Sequence, residues 1–386
     1  MKIKRDLQNK ITEASKKIGV ITIMGPRQSG KTTLVKEIFP KHKYYNLEDI
    51  QLRNRIAQDP KQFIDGHNSG IILDEVQKYP DLLSYIQIKI DEDFQPARFV
   101  LTGSENLLLS EKVSQTLAGR VAIFSLLPLS ISELVKSKNL KENYLEQLRY
   151  GFYPRIYDQS LDPKDLYPDY IATYTERDVR QVKNIGDLTN FQRFLQLLAG
   201  RTGQILNLSN LANDVGVNHK TIDSWISLLE STYIAFRLQP FYKNFGKRVI
   251  KSPKVYFYDT GLVCSLLGID SEKELSTHSA IGSIFENMIV SDLKKQIFNS
   301  RSSSKLYFWR DSEKNEIDVL VKDADKIFPI EIKAGSTFSS DYLKGIKVWD
   351  ELQENITESA IIYTGETDKI KKTKLINWKS ASNLIP

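Results

Sequence analysis

Cysteine is almost missing from this chain. Its 386 residues include one, Cys264, which excludes an intrachain disulfide framework and a thiolate zinc cluster. Histidine is scarce as well, at four residues, so a His-rich metal site is not expected. Long apolar runs are lacking. The most apolar stretch, residues 121–131, is short and broken by Ser125, Pro128 and Ser130, whereas a membrane-spanning helix needs roughly 20 apolar residues. Residues 1–18 are densely charged and carry no apolar core segment, so the expectation is no secretory signal, no membrane and a cytoplasmic location. Glycine (19) and proline (13) are too few for a fibrous or disordered chain.

What remains is ordinary globular material, 41% hydrophobic and 26% charged. At roughly 150 residues per domain, this length suggests two or three domains. Lys plus Arg number 54 against 48 Asp plus Glu, a net charge of +6, which permits a nucleic-acid partner without calling for one. The basic charge is uneven: residues 237–258 contain Lys243, Lys247, Arg248, Lys251 and Lys254 and no acid. A solvated loop and a phosphate-contacting patch both fit that run.

Gly25-Pro26-Arg27-Gln28-Ser29-Gly30-Lys31-Thr32 matches G-x-x-x-x-G-K-[ST] at every specified position. It follows the β-branched run Val20-Ile21-Thr22-Ile23-Met24, suited to a buried strand. It precedes Thr33-Leu34-Val35-Lys36-Glu37-Ile38-Phe39, apolar at helical spacing until Pro40. Strand, glycine loop and helix are what a polyphosphate needs, because backbone N–H groups and a helix N-terminus then converge on it. Lys31 is placed to reach the β- and γ-phosphates of ATP, and the Thr32 hydroxyl to ligate Mg²⁺. Pro26 through Ser29, with Thr33, complete the candidate binding loop.

Ile71-Ile72-Leu73-Asp74-Glu75 is apolar on both faces, as a central parallel strand requires, and ends in two carboxylates. Such strand ends line the ligand crevice. Asp74 can hold the Mg²⁺ shell and Glu75 can polarise an attacking water. A third strand, Phe99-Val100-Leu101-Thr102, ends in Gly103-Ser104 beside the same place. These residues resemble the prokaryotic AAA-type P-loop ATPases. The resemblance implies a five-stranded parallel sheet over about residues 1–130 and puts Ser104 at the sensor position. It also places Arg120, just before Val121-Ala122-Ile123-Phe124, where that family carries an arginine finger directed at a neighbouring subunit, which makes a homo-oligomer a candidate state. A cation ending a helix explains Arg120 equally well.

Residues 140–238 read as mostly helical, with apolar spacing at 144–150, 170–179 and 191–198. Residues 208–222 resemble a helix-turn-helix, with Ala212 in the packing position and Gly216 at the turn. The second helix, 220–230, carries Lys220 against Asp223 and Glu230, thin for a DNA-reading helix. Winged-helix units in related ATPases serve as lids, and packing is preferred over DNA contact here. Glu176-Arg177-Asp178 is taken as an ion-pair cluster.

The last third holds Glu286, then Glu316-Ile317-Asp318-Val319, then Pro329-Ile330-Glu331-Ile332-Lys333. Strand alternation puts Glu331 and Lys333 on one face and Glu316 and Asp318 on one face. If the two segments pair as a hairpin, Asp318, Glu331 and Lys333 converge, with Glu286 as a further ligand. Two carboxylates and a lysine suit metal-assisted phosphodiester cleavage. This pattern is similar to the D…(D/E)-x-K signature of the restriction-endonuclease-like fold. The region from about Tyr170, with Lys254-Val255-Tyr256-Phe257-Tyr258-Asp259-Thr260-Gly261 and Phe308-Trp309-Arg310, resembles a C-terminal domain of unknown function fused to AAA-type ATPases.

The expected fold is α/β: an AAA-type P-loop domain over 1–135, a helical and winged-helix-like segment over 136–245, and a restriction-endonuclease-like domain over 246–386. The expected function is Mg²⁺-dependent ATP hydrolysis coupled to a DNA-associated, nuclease-like domain. The alternative is a nucleotide-dependent switch whose C-terminal domain is inactive and binds a protein partner.

Overall fold

The computed structural model describes residues 3–67, 69–104, 113, 115–175, 188–242, 251–352 and 358–385. Five strands, β1 (Val20–Met24), β2 (Lys43–Asn46), β3 (Ile71–Asp74), β4 (Phe99–Gly103) and β5 (Val121–Ser125), form a parallel sheet in the order β2-β3-β4-β1-β5. Every residue of β1, β3 and β4 is buried. Val20, Met24, Leu73 and Leu101 pack on one face, while Ile21, Ile23, Ile72 and Val100 meet Leu34 and Val35 on the other. Two covered faces explain why these strands read as continuous apolar runs. Met24 lies opposite both Gly103 and Ser125, so the loops leaving β1 and β4 open at one end of the sheet.

The loop after β1 turns tightly into the helix Lys31–Ile38. Gly30 sits at φ 90, and Gly25, at φ 152, presses so close to β5 that a Cβ there would lie 2.1 Å from the Leu126 carbonyl oxygen. Only glycine satisfies both positions.

The middle of the chain is helical, with helices at Tyr144–Tyr150, Pro163–Thr173, Leu188–Ala199, Leu208–Val215 and His219–Ser231. The last two are the expected helix-turn-helix pair, joined through Gly216 at φ 88. Their inner face is core: Phe191 and Phe194 pack against Trp225 at 5.2 and 5.3 Å. Glu176, Arg177 and Asp178 lie outside the described residues, as do Lys243, Lys247 and Arg248 of the basic run.

The antiparallel ribbon of β6 (Ala235–Leu238) and β7 (Lys254–Phe257) follows. A six-stranded sheet completes the chain, built from β8 (Lys305–Arg310), β9 (Glu316–Asp323), β10 (Lys326–Lys333), β11 (Ser359–Tyr363), β12 (Asp368–Ile370) and β13 (Thr373–Asn377), in the order β12-β13-β11-β10-β9-β8. The expected hairpin is β9–β10, paired from Lys326↔Asp323 to Ile330↔Val319. The helix Ile281–Ser300 packs on β10 and also touches β5 and β7. Wedged between halves, it buries Asn287, Asp292 and Lys295 along with its apolar residues. Among the described residues no helix is long and apolar enough to cross a membrane.

Candidate functional site

At the open end of the first sheet a cleft of about 360 Å³ is lined by Arg27 to Thr33 and by Glu75. That volume suits a small-molecule ligand, which typically takes roughly 300–1,000 Å³. Lys31 is buried, and its Nζ donates to the carbonyls of Gly25 at 2.8 Å and Pro26 at 2.9 Å. An ammonium held over the loop in this way can trade carbonyl acceptors for phosphate oxygens.

The end of β3 gathers the other groups. Thr32 Oγ1 donates to Asp74 Oδ2 at 2.8 Å, and the Tyr44 hydroxyl donates to the same oxygen at 2.6 Å. The Thr102 hydroxyl donates to Asp74 Oδ1. Burial, and then the bond to Asp74, push the Tyr44 phenol above its ordinary value, so it stays a donor. A threonine hydroxyl in contact with a buried carboxylate is a hard oxygen pair, a donor set that fits Mg²⁺.

Glu75 adopts φ 57, a left-handed conformation uncommon outside glycine and one that tends to mark functional positions. Ser104 Oγ donates to Glu75 Oε2 at 3.1 Å, and Gln77 Nε2 donates to that oxygen and to Ser104 Oγ at 3.2 Å. The three strand ends thus bring Thr32, Asp74, Glu75 and Ser104 together. Tyr44 and Gln77 join them without having been anticipated, since a tyrosine in a strand and a glutamine after one carry no spacing signal.

Arg120 stands elsewhere, on the surface. Its Nη2 donates to Asp91 Oδ2 at 2.8 Å and its Nη1 to the Ala118 carbonyl at 2.9 Å. The bond to Asp91 raises its guanidinium pKa. A different arginine braces the loop. Buried Arg5 donates to the Ser29 carbonyl at 2.7 Å, the Leu127 carbonyl at 2.6 Å and Glu133 Oε1 at 3.0 Å. Arg155, from the helix Pro154–Asp158, lines the cleft as well.

Beyond Arg5 the polar contacts continue into the second half. The strap 127–131 leaves β5 and is gripped from the far side by the helix Ile281–Ser300. Lys295 Nζ donates to the Leu129 carbonyl at 3.0 Å, and Asp292 Oδ1 accepts the Ile131 N–H at 2.7 Å. Burial pushes Asp292 up to about 6 and Lys295 down to about 8. Leu129 itself lines the cleft at the end of the first sheet.

The same helix carries Glu286 to the second constellation. Past the last paired rung of β9–β10, Asp318 Oδ2 accepts the Ile332 N–H at 2.8 Å, its side chain standing in for the ladder. Lys333 Nζ donates to Asp318 Oδ2 at 3.0 Å and Glu331 Oε2 at 2.7 Å. Burial and the Asp318 charge push Glu331 well above the usual carboxyl range. Burial acts the same way on Asp318, but Lys333 and Lys254 outweigh it and hold that carboxyl low. Glu286 lies one step away, accepting Lys254 Nζ at 3.0 Å and the Tyr256 hydroxyl at 2.6 Å. All four predicted residues fall in one polar region, yet among the described residues no three carboxylates close on a common point. The arrangement as it stands does not fit a metal ion. Lys254 and Glu316, which pair with each other, were not assigned to this centre by sequence. A lysine inside a fully buried strand was the available signal.

The chain matches three families: an AAA domain over residues 17–135, a domain of unknown function (DUF8612) over 122–273, and a second (DUF4143) over 281–380. It is 30% identical over 367 residues to the uncharacterized proteins Rv2008c of Mycobacterium tuberculosis and Mb2031c of Mycobacterium bovis, covering 94% of this chain and 80% of theirs. It is 23% identical over 355 residues to the uncharacterized protein MJ1544 of Methanocaldococcus jannaschii, covering 84% of this chain and 76% of that one. Among solved structures it is similar to the Walker-type ATPase PABY2304 of Pyrococcus abyssi, at 12% identity and a TM-score of 0.41, covering 68% of this chain and 95% of that one.

Proposed function

Because the chain belongs to the family of the mycobacterial proteins Rv2008c and Mb2031c and opens with an AAA-type P-loop ATPase domain, we propose that it is an Mg²⁺-dependent ATP hydrolase whose nucleotide cycle acts on its C-terminal half. The observation that carries the first part is the meeting of Thr32, Asp74, Glu75 and Ser104 at one end of the phosphate-loop cleft. Backbone N–H groups of the loop and Lys31 hold the β- and γ-phosphates. Thr32 and Asp74 would hold Mg²⁺, which supplies charge neutralisation at the phosphates. Glu75, steadied by Ser104 and Gln77, accepts a proton from the attacking water.

Glu75→Gln tests this. The amide keeps the size of the side chain and loses the base, so ATP should bind as before while phosphate release slows by about 10²–10⁴-fold. Release at the wild-type rate would remove Glu75 from the mechanism.

The coupling to the second half is supported by the strap 127–131, held by Arg5 on the nucleotide side and by Asp292 and Lys295 on the other. The C-terminal half is read as a restriction-endonuclease-like unit, on the D…E-x-K arrangement of Asp318, Glu331 and Lys333 with Glu286 nearby. DNA is the partner this reading names. A second reading, an inactive C-terminal unit that binds a protein, is favoured by one observation: lysine ammonium groups already lie among the carboxylates. The helix His219–Ser231 serves packing on either reading. Ile222, Trp225 and Ile226 are buried, and Asp223 pairs with Arg237 at 2.6 Å.

A further inference from the structure

Tyr44 belongs to no motif, and its place in the sheet is what gives it a partner. On β2 it lies opposite Ile72 of β3, and Asp74 follows two residues later on the same face. The phenol therefore reaches diagonally along the strand pair, where its hydroxyl donates to Asp74 Oδ2 at 2.6 Å. The ring is held from two sides. It packs against the apolar cluster that contains Leu34, Val35 and Ile72. Lys36, from the helix Lys31–Ile38, sets its Nζ 3.6 Å from the ring centroid, a cation–π contact.

A carboxylate offers roughly four lone-pair sites, two on each oxygen. On Asp74 Oδ2 both are taken, by the hydroxyls of Tyr44 and of Thr32 at 2.8 Å. The Thr102 hydroxyl takes one on Oδ1. Asp74 is only 5% exposed, so bulk water hardly competes for these places. A hydroxyl that donates keeps its own lone pairs. Thr32 can thus face a cation with its oxygen while its proton stays on Asp74, and neither donor has to leave. That arrangement discriminates between cations. Mg²⁺ is small and keeps several of its waters, so it needs few direct protein ligands. Ca²⁺ gathers about six to eight oxygens and takes carboxylates directly, often through both oxygens. A carboxylate with one oxygen filled by two hydroxyls cannot offer both, and Ca²⁺ would have to expel the phenol to obtain them.

We propose that Tyr44 is a positioning residue that sets the cation preference of the phosphate site: its hydroxyl, by filling Asp74 Oδ2, keeps the carboxylate from ligating with both oxygens and so favours Mg²⁺ over Ca²⁺. The proposal rests on the reading of Thr32 and Asp74 as the residues that hold Mg²⁺. It also gives β2, an edge strand of its sheet, a part in the site.

The test is binding of the non-hydrolysable analogue AMPPNP to the full chain by calorimetry, with saturating Mg²⁺, with saturating Ca²⁺ and with a chelator. In the wild type, Mg²⁺ should tighten binding more than Ca²⁺ does. Tyr44→Phe keeps the ring and its contact with Lys36 and loses only the hydroxyl. It should leave the chelator affinity as it was. The Mg²⁺-to-Ca²⁺ affinity ratio should move about tenfold toward Ca²⁺, the worth of one hydrogen bond to a charged group. In an Asp74→Asn background the same substitution should move the ratio no further, because the effect runs through that carboxylate. Lys36 is exposed; Lys36→Met loosens the ring, should shift the ratio the same way by less, and carries the test if Tyr44→Phe does not fold. Equal tightening by the two cations in the wild type, or an unmoved ratio in the variants, overturns the role of Tyr44 and leaves the Mg²⁺ site standing. A shift that persists in the Asp74→Asn background overturns the route through Asp74. Wild-type binding that ignores both cations overturns the Mg²⁺ reading itself.

Discussion

Replacing Arg5 by methionine strands Glu133. That carboxylate is fully buried and would keep only the backbone N–H groups of Asp6 and Ser130. Removing one member of a buried ion pair costs about 3–5 kcal/mol. Two further bonds disappear, to the carbonyls of Ser29 and Leu127; hydrogen bonds from a charged donor are worth about 1.5–3 kcal/mol each, and they overlap with the first figure. The two surviving N–H donors to Glu133 argue for the low end, so a loss of about 3–4 kcal/mol is expected in urea unfolding. ATP should also bind about tenfold more weakly, because the Ser29 carbonyl loses the side chain that holds the loop. Arg5→Met/Glu133→Gln separates the two effects. It removes the stranded charge and should recover about 2 kcal/mol of stability, yet ATP binding should stay weak. A single variant losing under about 1 kcal/mol, or a double variant that regains ATP affinity together with stability, would refute the bracing role.

Arg120→Ala subunits mixed with Lys31→Ala subunits should regain part of the ATPase activity, since one shared interface then keeps both groups; no recovery in a confirmed mixed oligomer would return Arg120 to its surface pair with Asp91. Asp292 and Lys295 predict a pH effect on stability. Burial raises Asp292 to about 6, so its contribution is full below the ordinary carboxyl range and is lost as pH rises through about 6. Burial lowers Lys295 to about 8, so its contribution is full above the ordinary lysine value and is lost as pH falls through about 8. Asp292→Asn/Lys295→Met should therefore flatten the melting-temperature profile between pH 3.8 and 6 and between pH 8 and 10.5 relative to wild type and should be more stable than Lys295→Met alone. A double variant as unstable as the single would sink this account.

The phosphate loop, the acidic end of β3 and the polar end of β4 were legible in the sequence because each is contiguous. A turn that cradles phosphate needs its glycines at fixed offsets, and a central strand must be apolar on both faces. The hairpin of β9 and β10 was legible for a similar reason, since Glu331 and Lys333 share a face at a spacing of two. Local spacing reports what one element presents. It does not report which element arrives opposite. Arg5 bonds Ser29 across 24 residues and Glu133 across 128, and Lys254 meets Glu286 across 32. Those partnerships follow from how elements distant in the chain pack together, burying charges that must then find each other, because an unpaired charge in that interior costs several kcal/mol. Arg120 makes the converse point: its position before β5 was plain in the chain, and its partner Asp91 became visible only once the helix Leu82–Glu92 had packed beside it.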